Sequence, residues 1–235
     1  MKRISPASFL GILALLSSCN HTIEMPFGPS QVMSKSYVQV YVEATSMDGD
    51  YKQDCNALRL SIGGSKLNQD NPRFNDIATH FNDYDYNQKV YKGEHLEHTA
   101  LSTEFSNIEV ISDADFSVDL PAGTSLNNVV KLCAISPLKY IQSNYSQFFN
   151  WNTDRPNDFQ GLSFAAGCDF SNGLSGYYPV DKLLPELTPT DMTLLYGDVL
   201  YLKFMMIPEI KSHKITVTMT CGTRSFSTTF DVKFG

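Results

Sequence analysis

The strongest constraint on the fold lies near the C-terminus, where apolar and polar residues alternate. Ile215, Val217, Met219 and Cys221 alternate with Lys214 and a series of threonines. Phe226, Thr228, Phe230, Val232 and Phe234 alternate with Ser225, Ser227, Thr229 and Asp231. A period of two sends successive side chains to opposite faces of a strand. Gly222-Thr223 between the two runs predicts a hairpin with one buried face. The parity puts Cys221 on that face.

The same pattern recurs upstream. In residues 37–43, Val38, Val40 and Val42 share one face and Tyr37, Gln39, Tyr41 and Glu43 the other, which predicts a half-buried strand. Met47-Asp48-Gly49-Asp50 predicts a turn. Leu58, Leu60 and Ile62 alternate with Arg59 and Ser61 in a second strand expected to end at Gly63-Gly64. Residues 105–111 and 116–120 read as further strands, with Phe116, Val118 and Leu120 on one face. Residues 199–207 are almost continuously apolar, the mark of a strand buried on both sides.

Helices are few. Asn71 suits an N-cap and Pro72 a first turn, followed by Phe74, Ile77, Ala78 and Phe81 at helical spacing. After the Pro121-Ala122-Gly123 turn, Thr124 or Ser125 is expected to cap a short helix running to Leu132. Residues 179–187 suggest another. Short strands with few helices predict an all-β fold, an immunoglobulin-like or related β-sandwich over residues 35–235, with loop-rich, partly helical insertions near 65–103 and 143–195.

The N-terminus has a different logic. Met1-Lys2-Arg3 precedes an apolar run over residues 7–16, the layout of an export signal. The run is too short to cross a bilayer, which takes roughly 20 apolar residues. It ends in Leu16-Ser17-Ser18-Cys19, which resembles the bacterial lipobox: an aliphatic residue, two small residues, then cysteine. The resemblance implies that residues 1–18 are a signal peptide and that Cys19 carries lipid. Two or more acyl chains anchor a protein stably. Residues 19–34, with Pro26, Gly28 and Pro29, then read as a tether.

Cleavage before Cys19 leaves 217 residues, enough for one substantial domain. Losing Lys2 and Arg3 leaves 16 basic against 25 acidic residues, a net charge of −9. No lysine–arginine cluster is present to neutralise phosphates, which argues against a nucleic-acid partner. An exported chain meets an oxidising compartment, where an even cysteine count suggests disulfides. Cys55, Cys133, Cys168 and Cys221 are the candidates. Of the three pairings they allow, the one with the shortest loop joins Cys133 to Cys168 and leaves Cys55 for Cys221.

Two further stretches resemble a family. Ile108-Glu109-Val110-Ile111-Ser112-Asp113-Ala114-Asp115-Phe116, with Pro121-Ala122-Gly123-Thr124-Ser125-Leu126-Asn127, is similar to a group of Bacteroidota lipoproteins assigned to a domain of unknown function. The C-terminal hairpin, with its lead-in from Pro208 to His213, is similar too. The resemblance covers roughly residues 105–132 and 198–234 and implies a lipoprotein signal without naming an activity.

Signals of chemistry are sparse. Glu94-His95-Leu96-Glu97-His98 places two histidines three apart, whereas a zinc peptidase helix needs H-E-x-x-H or H-x-x-E-H. No third ligand is obvious, with His80 a distant candidate. Asp48-Gly49-Asp50, Asp83-Tyr84-Asp85 and Asp113-Ala114-Asp115 offer oxygen atoms but none matches the twelve-residue calcium loop. Gly161-Leu162-Ser163-Phe164-Ala165 departs from a G-x-S-x-G elbow at its last position. No catalytic residue, metal ligand set or cofactor is therefore assigned. The aromatics of the middle stretch are the candidate ligand surface: Tyr145, Phe148, Phe149, Trp151, Tyr177 and Tyr178, beside Tyr140. Exposed aromatic rings stack on sugars and anchor protein interfaces.

These features together predict a lipoprotein of the cell envelope, most simply of the outer membrane. It is expected to be a non-enzymatic binding module for an envelope protein or a glycan. A hydrolase using carboxylates or a metal and a structural subunit of the envelope are the alternatives. Replacing Cys19 with serine is expected to abolish incorporation of labelled fatty acid while leaving the far-ultraviolet circular dichroism of the domain unchanged. Undiminished labelling in that variant would remove the anchor assignment.

Overall fold

The computed structural model describes residues 31–91, 97–164, 174–197 and 199–235. The fold is all-β, as the alternation predicts. Its strands in chain order are β1 (Gln31–Ser34), β2 (Val40–Lys52), β3 (Ala57–Asn68), β4 (Gln88–Tyr91), β5 (Thr99–Leu101) and β6 (Asn107–Ser112). They continue with β7 (Val130–Ser136), β8 (Tyr178–Leu183), β9 (Leu200–Phe204), β10 (Ser212–Cys221) and β11 (Arg224–Lys233). Two α-helices, α1 (Pro72–His80) and α2 (Leu138–Gln142), lie between them. No described helix is long and apolar enough to cross a membrane.

A six-stranded sheet in the order β5-β2-β3-β9-β7-β8 packs on a three-stranded sheet in the order β11-β10-β6. Between them lies one apolar core. Leu58, Leu60, Leu132, Leu200 and Leu202 from the larger sheet meet Ile108, Val110, Ile215, Val217, Met219 and Phe230 from the smaller. The predicted C-terminal hairpin forms with Cys221 opposite Arg224, and its apolar parity faces this core. The strand predicted over 199–207 shortens to β9 and is buried on both faces. Leu200, Leu202 and Phe204 enter the sandwich core, and Val199 and Tyr201 enter a second core behind it.

That second core corrects the half-buried reading of residues 37–43. Tyr37, Val38 and Tyr41 are all buried in an aromatic layer that covers the back of the six-stranded sheet. The layer is built by α1, α2 and the insertion between them and β8. Asn71 caps α1 as predicted, its side chain accepting from the Arg73 N–H at 3.0 Å. Phe74 and Ala78 turn inward. Asn82 then adopts a left-handed conformation, φ 58°. Its N–H donates to Thr79 O and the Asp83 N–H to Ala78 O, which closes the helix in a Schellman arrangement.

This exit delivers Asp83 into the layer. The carboxylate is fully buried and accepts four hydrogen bonds: from the Tyr37 N–H (2.8 Å), the Val38 N–H (2.9 Å), the Tyr41 hydroxyl (3.0 Å) and the Tyr145 hydroxyl (3.0 Å). Burial pushes its carboxyl above the ordinary carboxylate value, and the four donors oppose that shift.

Several boundaries differ from expectation. Residues 47–50 are not a turn but the middle of β2, and Gly63-Gly64 lies inside β3. At Gly49 and Gly64 a Cβ would collide with the carbonyls of Arg59 and Glu43, so these glycines permit close strand approach, Gly64 beside the bulge at Ala44/Ser46. Residues 116–120 form a tight turn. Phe116 is buried against Phe204, and Val118 is 98% exposed, so the three residues do not share a face. Instead of a helix to Leu132 there is one 3₁₀ turn at Asn127–Val129, after which the chain enters β7. Residues 179–187 are mainly β8, an edge strand, where Pro179 is tolerated.

Cys55, Cys133 and Cys221 are free thiols. The Cys55–Cys221 pairing is ruled out by layering: Cys55 lies in the aromatic layer and Cys221 packs at the edge of the sandwich core. Cys168 lies outside the described residues. Replacing Asp83 with alanine strands its four donors and is expected to lower the unfolding free energy by about 3 kcal/mol or more. A shift in urea midpoint corresponding to less than about 1 kcal/mol would show that the carboxylate is not a structural centre.

Candidate functional site

The aromatic layer stops short of one end of the six-stranded sheet, and polar residues take over there. Two cross-strand rows follow from the register. One runs Asp50, Arg59, Tyr201, Cys133, Asp181 across β2, β3, β9, β7 and β8. The next runs Lys52, Ala57, Lys203, Lys131, Leu183. Each row lies on the face that carries the aromatic layer further along.

Most of this charge is internally matched. Asp158, from the insertion, lies 2.7 Å from Lys131 Nζ and 2.9 Å from Lys203 Nζ. Lys131 also reaches Asp181 at 3.2 Å. These side chains are about one-fifth exposed, so the pairs are worth more than surface pairs but still carry a desolvation cost. Hydrogen bonds from Lys131 and then Lys203 hold the Asp158 carboxyl below its usual value. Cys133, buried beside Asp181, is pushed up to about 12 by burial, with Asp181 and Asp158 adding to the shift. Burial also raises Cys55. Both thiols therefore stay protonated near neutral pH and are poor nucleophiles.

Beyond the matched network lies a groove of about 360 Å³, lined by Lys52, Asp54, Arg59, Gly161, Ser163, Phe164 and Tyr201. Tyr201 fixes its far wall by donating to Ser163 O at 2.8 Å and accepting from the Ser163 N–H at 3.2 Å. Gly161, at φ 79°, makes the turn that brings this wall back to the sheet. Lys52 pairs with Asp50 at 2.6 Å. Asp50 faces Arg59 across the β2–β3 ladder yet is turned to Lys52. Among the described residues, Arg59 has neither an ion-pair nor a hydrogen-bond partner. Asp54 accepts from the neighbouring Cys55 N–H at 3.1 Å, lies against the Cys55 thiol and makes no ion pair among the described residues. A cation and an anion therefore face one groove without meeting.

A second depression, about 320 Å³, lies at the opposite sheet between Asp113, His213, Lys214 and Asp231. Its histidine is already engaged. His213 Nε2 lies 2.7 Å from Ile210 O and Nδ1 lies 2.7 Å from Ser112 Oγ, so both ring nitrogens have partners within the fold. Lys214 pairs with Asp231. Ser212 and Lys233 on the rim of this depression are exposed strand-end residues, whereas the Arg59 groove sets its unmatched charges beside the buried rings of Phe164 and Tyr201.

The predicted aromatic surface is mostly interior. Trp151 is 4% exposed and donates to Leu174 O, and Tyr177 is buried with its hydroxyl on Thr99 O. Tyr145 holds Asp83, while Phe149 and Tyr178 pack on the same layer. Phe148 alone stands out, 59% exposed against Tyr140. These rings bind the insertion to the sheet, because the back of a six-stranded sheet needs an apolar cover. His95 lies outside the described residues. His98 stacks on Tyr37 at 4.1 Å and its Nδ1 reaches Tyr37 O, and burial pushes its pKa down to about 4. Among the described residues no group of three or more His, Cys, Asp or Glu is placed to hold a metal. Asp113 and Asp115 receive backbone N–H bonds from Lys214 and Ala122 and act as turn acceptors.

Comparison with known proteins returns no matching family model, curated protein or solved structure.

The pH response of the charge network has a definite sign. Asp158 is held below its ordinary 3.8. The stability it supplies is complete above that value and is lost as pH falls through the lowered one. The Asp158→Asn variant is expected to be less stable than the parent at neutral pH and to show a flatter loss of urea midpoint between about pH 5 and pH 2. Parallel curves for the two proteins would count against the network.

Proposed function

We propose that the chain is an envelope lipoprotein, anchored by lipid on Cys19 in the outer membrane, whose folded domain is a non-enzymatic binding module for a glycan or protein partner. The observation that carries this reading is the unmatched pair, Arg59 and Asp54, facing the groove at one end of the six-stranded sheet. Three of the four cations that the strands carry on this face are paired, Lys52, Lys131 and Lys203, and the half-buried Arg59 has no partner among the described residues. The fourth is poised for something that comes from outside.

The placement of the groove supports the same reading. The tether enters through β1, and the chain then meets β2 at Val40, opposite Asn68. Arg59 lies toward the other end of β3, which runs Ala57–Asn68. At about 3.3 Å per residue the two places are roughly 30 Å apart along the strand. A module held by its N-terminus thus presents this end away from its anchor. The inward carboxylates Asp158 and Asp181 are tied to lysine, which favours recognition over acid–base work at this face.

A photoreactive residue introduced in place of the exposed Gln160, beside the groove wall at Gly161, is expected in living cells to trap a defined envelope partner, and the adduct should fall at least tenfold when Arg59→Gln is added. The same residue placed at Val118 serves as the reference. Equal trapping from both positions, or trapping indifferent to Arg59, would sink the assignment of the groove as the binding site.

A further inference from the structure

The groove discriminates among ligand chemistries. Its two rings do not form a stacking platform: Phe164 and Tyr201 are each 3% exposed and lie edge to face with centroids 5.3 Å apart. They make a floor, and the groups that project over it are polar. Arg59 offers a planar fork of donors suited to a carboxylate. Lys52 lines the same groove but is already paired with Asp50, which leaves Arg59 as its unmatched cation. Asp54 offers carboxylate oxygen atoms and Ser163 a hydroxyl, both suited to the hydroxyl groups of a ligand. A volume of about 360 Å³ is at the small end of ligand sites and has room for one sugar ring.

Building on the reading of this groove as the binding site, we infer that it takes the terminal residue of an acidic glycan, with the sugar carboxylate on Arg59 and ring hydroxyls on Asp54 and Ser163. A neutral sugar leaves the Arg59 charge unanswered. A peptide C-terminus supplies the carboxylate but no hydroxyl pair for Asp54, and its side chain finds no open apolar pocket over a floor of buried rings. The matched network behind, Lys131 and Lys203 on Asp158, keeps neighbouring cations from competing for the same carboxylate.

The test uses the full-length protein in detergent, titrated by calorimetry and nuclear magnetic resonance with glucuronate, glucose and acetyl-dialanine. Glucuronate is expected to bind at least tenfold more tightly than either of the others. Arg59→Gln should weaken it at least tenfold with the thermal midpoint unchanged, Arg59→Lys should recover part of the loss, and Ser163→Ala should weaken it severalfold. Glucose binding as tightly as glucuronate, with both lost in Arg59→Gln, would overturn the acidic preference and leave the groove as a sugar site. Tighter binding of acetyl-dialanine would overturn the sugar class. Binding of none of the three, with Arg59-dependent trapping from position 160 intact, would overturn the ligand class alone. Loss of that trapping as well would overturn the binding module too.

Discussion

One buried carboxylate organises the back of this molecule. Asp83 brings together the segment entering β2, the exit of α1 and the insertion that carries Tyr145. A lone carboxylate in an apolar layer costs several kcal/mol. Four donors offset the cost, two of them backbone N–H groups that would otherwise be orphaned in the same layer. The arrangement works only if all parts arrive together. The Schellman exit at Asn82 sets the height of Asp83, and the tyrosines reach it from two other elements. Cooperative folding of sheet and insertion follows from this shared centre.

With the insertion fixed, the six-stranded sheet becomes the middle layer of three. Its front packs on the three-stranded sheet and most of its back on aromatic rings. A sheet buried on both faces has few places where its polar chemistry reaches solvent. Here that place is the end of β3 and β9 where the rings stop and the charged rows begin. The Asp158 network seals the boundary: it neutralises two lysines that the aromatic layer would otherwise have to cover, and it leaves Arg59 beyond the seal.

Features carried by local rules were legible in the sequence. The C-terminal hairpin followed from its parity and turn, α1 from its asparagine cap and proline, and β9 from its unbroken apolar run. What failed had a common cause, since local signals were overridden by partners distant in the chain. Gly49 and Gly64 look like breakers, but they sit where β2 and β3 approach too closely for a Cβ. Thr124 and Ser125 look like caps, but the run from Val130 to Ile135 belongs to a central strand. The aromatics of residues 145–178 look like a platform because their polarity alone cannot show that a sheet back awaits them. The groove was the least legible part. Arg59 looks like an ordinary solvent-facing strand residue, and Ser163 was noticed only as part of an elbow that does not form. Nothing in the sequence sets Arg59 beside Tyr201. That fact belongs to the register of strands separated by more than a hundred residues.

The β1–β4 ribbon has a mechanical meaning. In a domain held by its N-terminus, any tug on a bound partner is balanced by tension entering at Gln31. It loads first the four residue pairs of β1 and β4. The next resistance is the grip of Asp83 on the Tyr37 and Val38 amides, and only after it comes the long β2–β3 ladder. The weak ribbon can yield and lengthen the leash while the carboxylate holds, so the sheet that frames Arg59 keeps its shape under load.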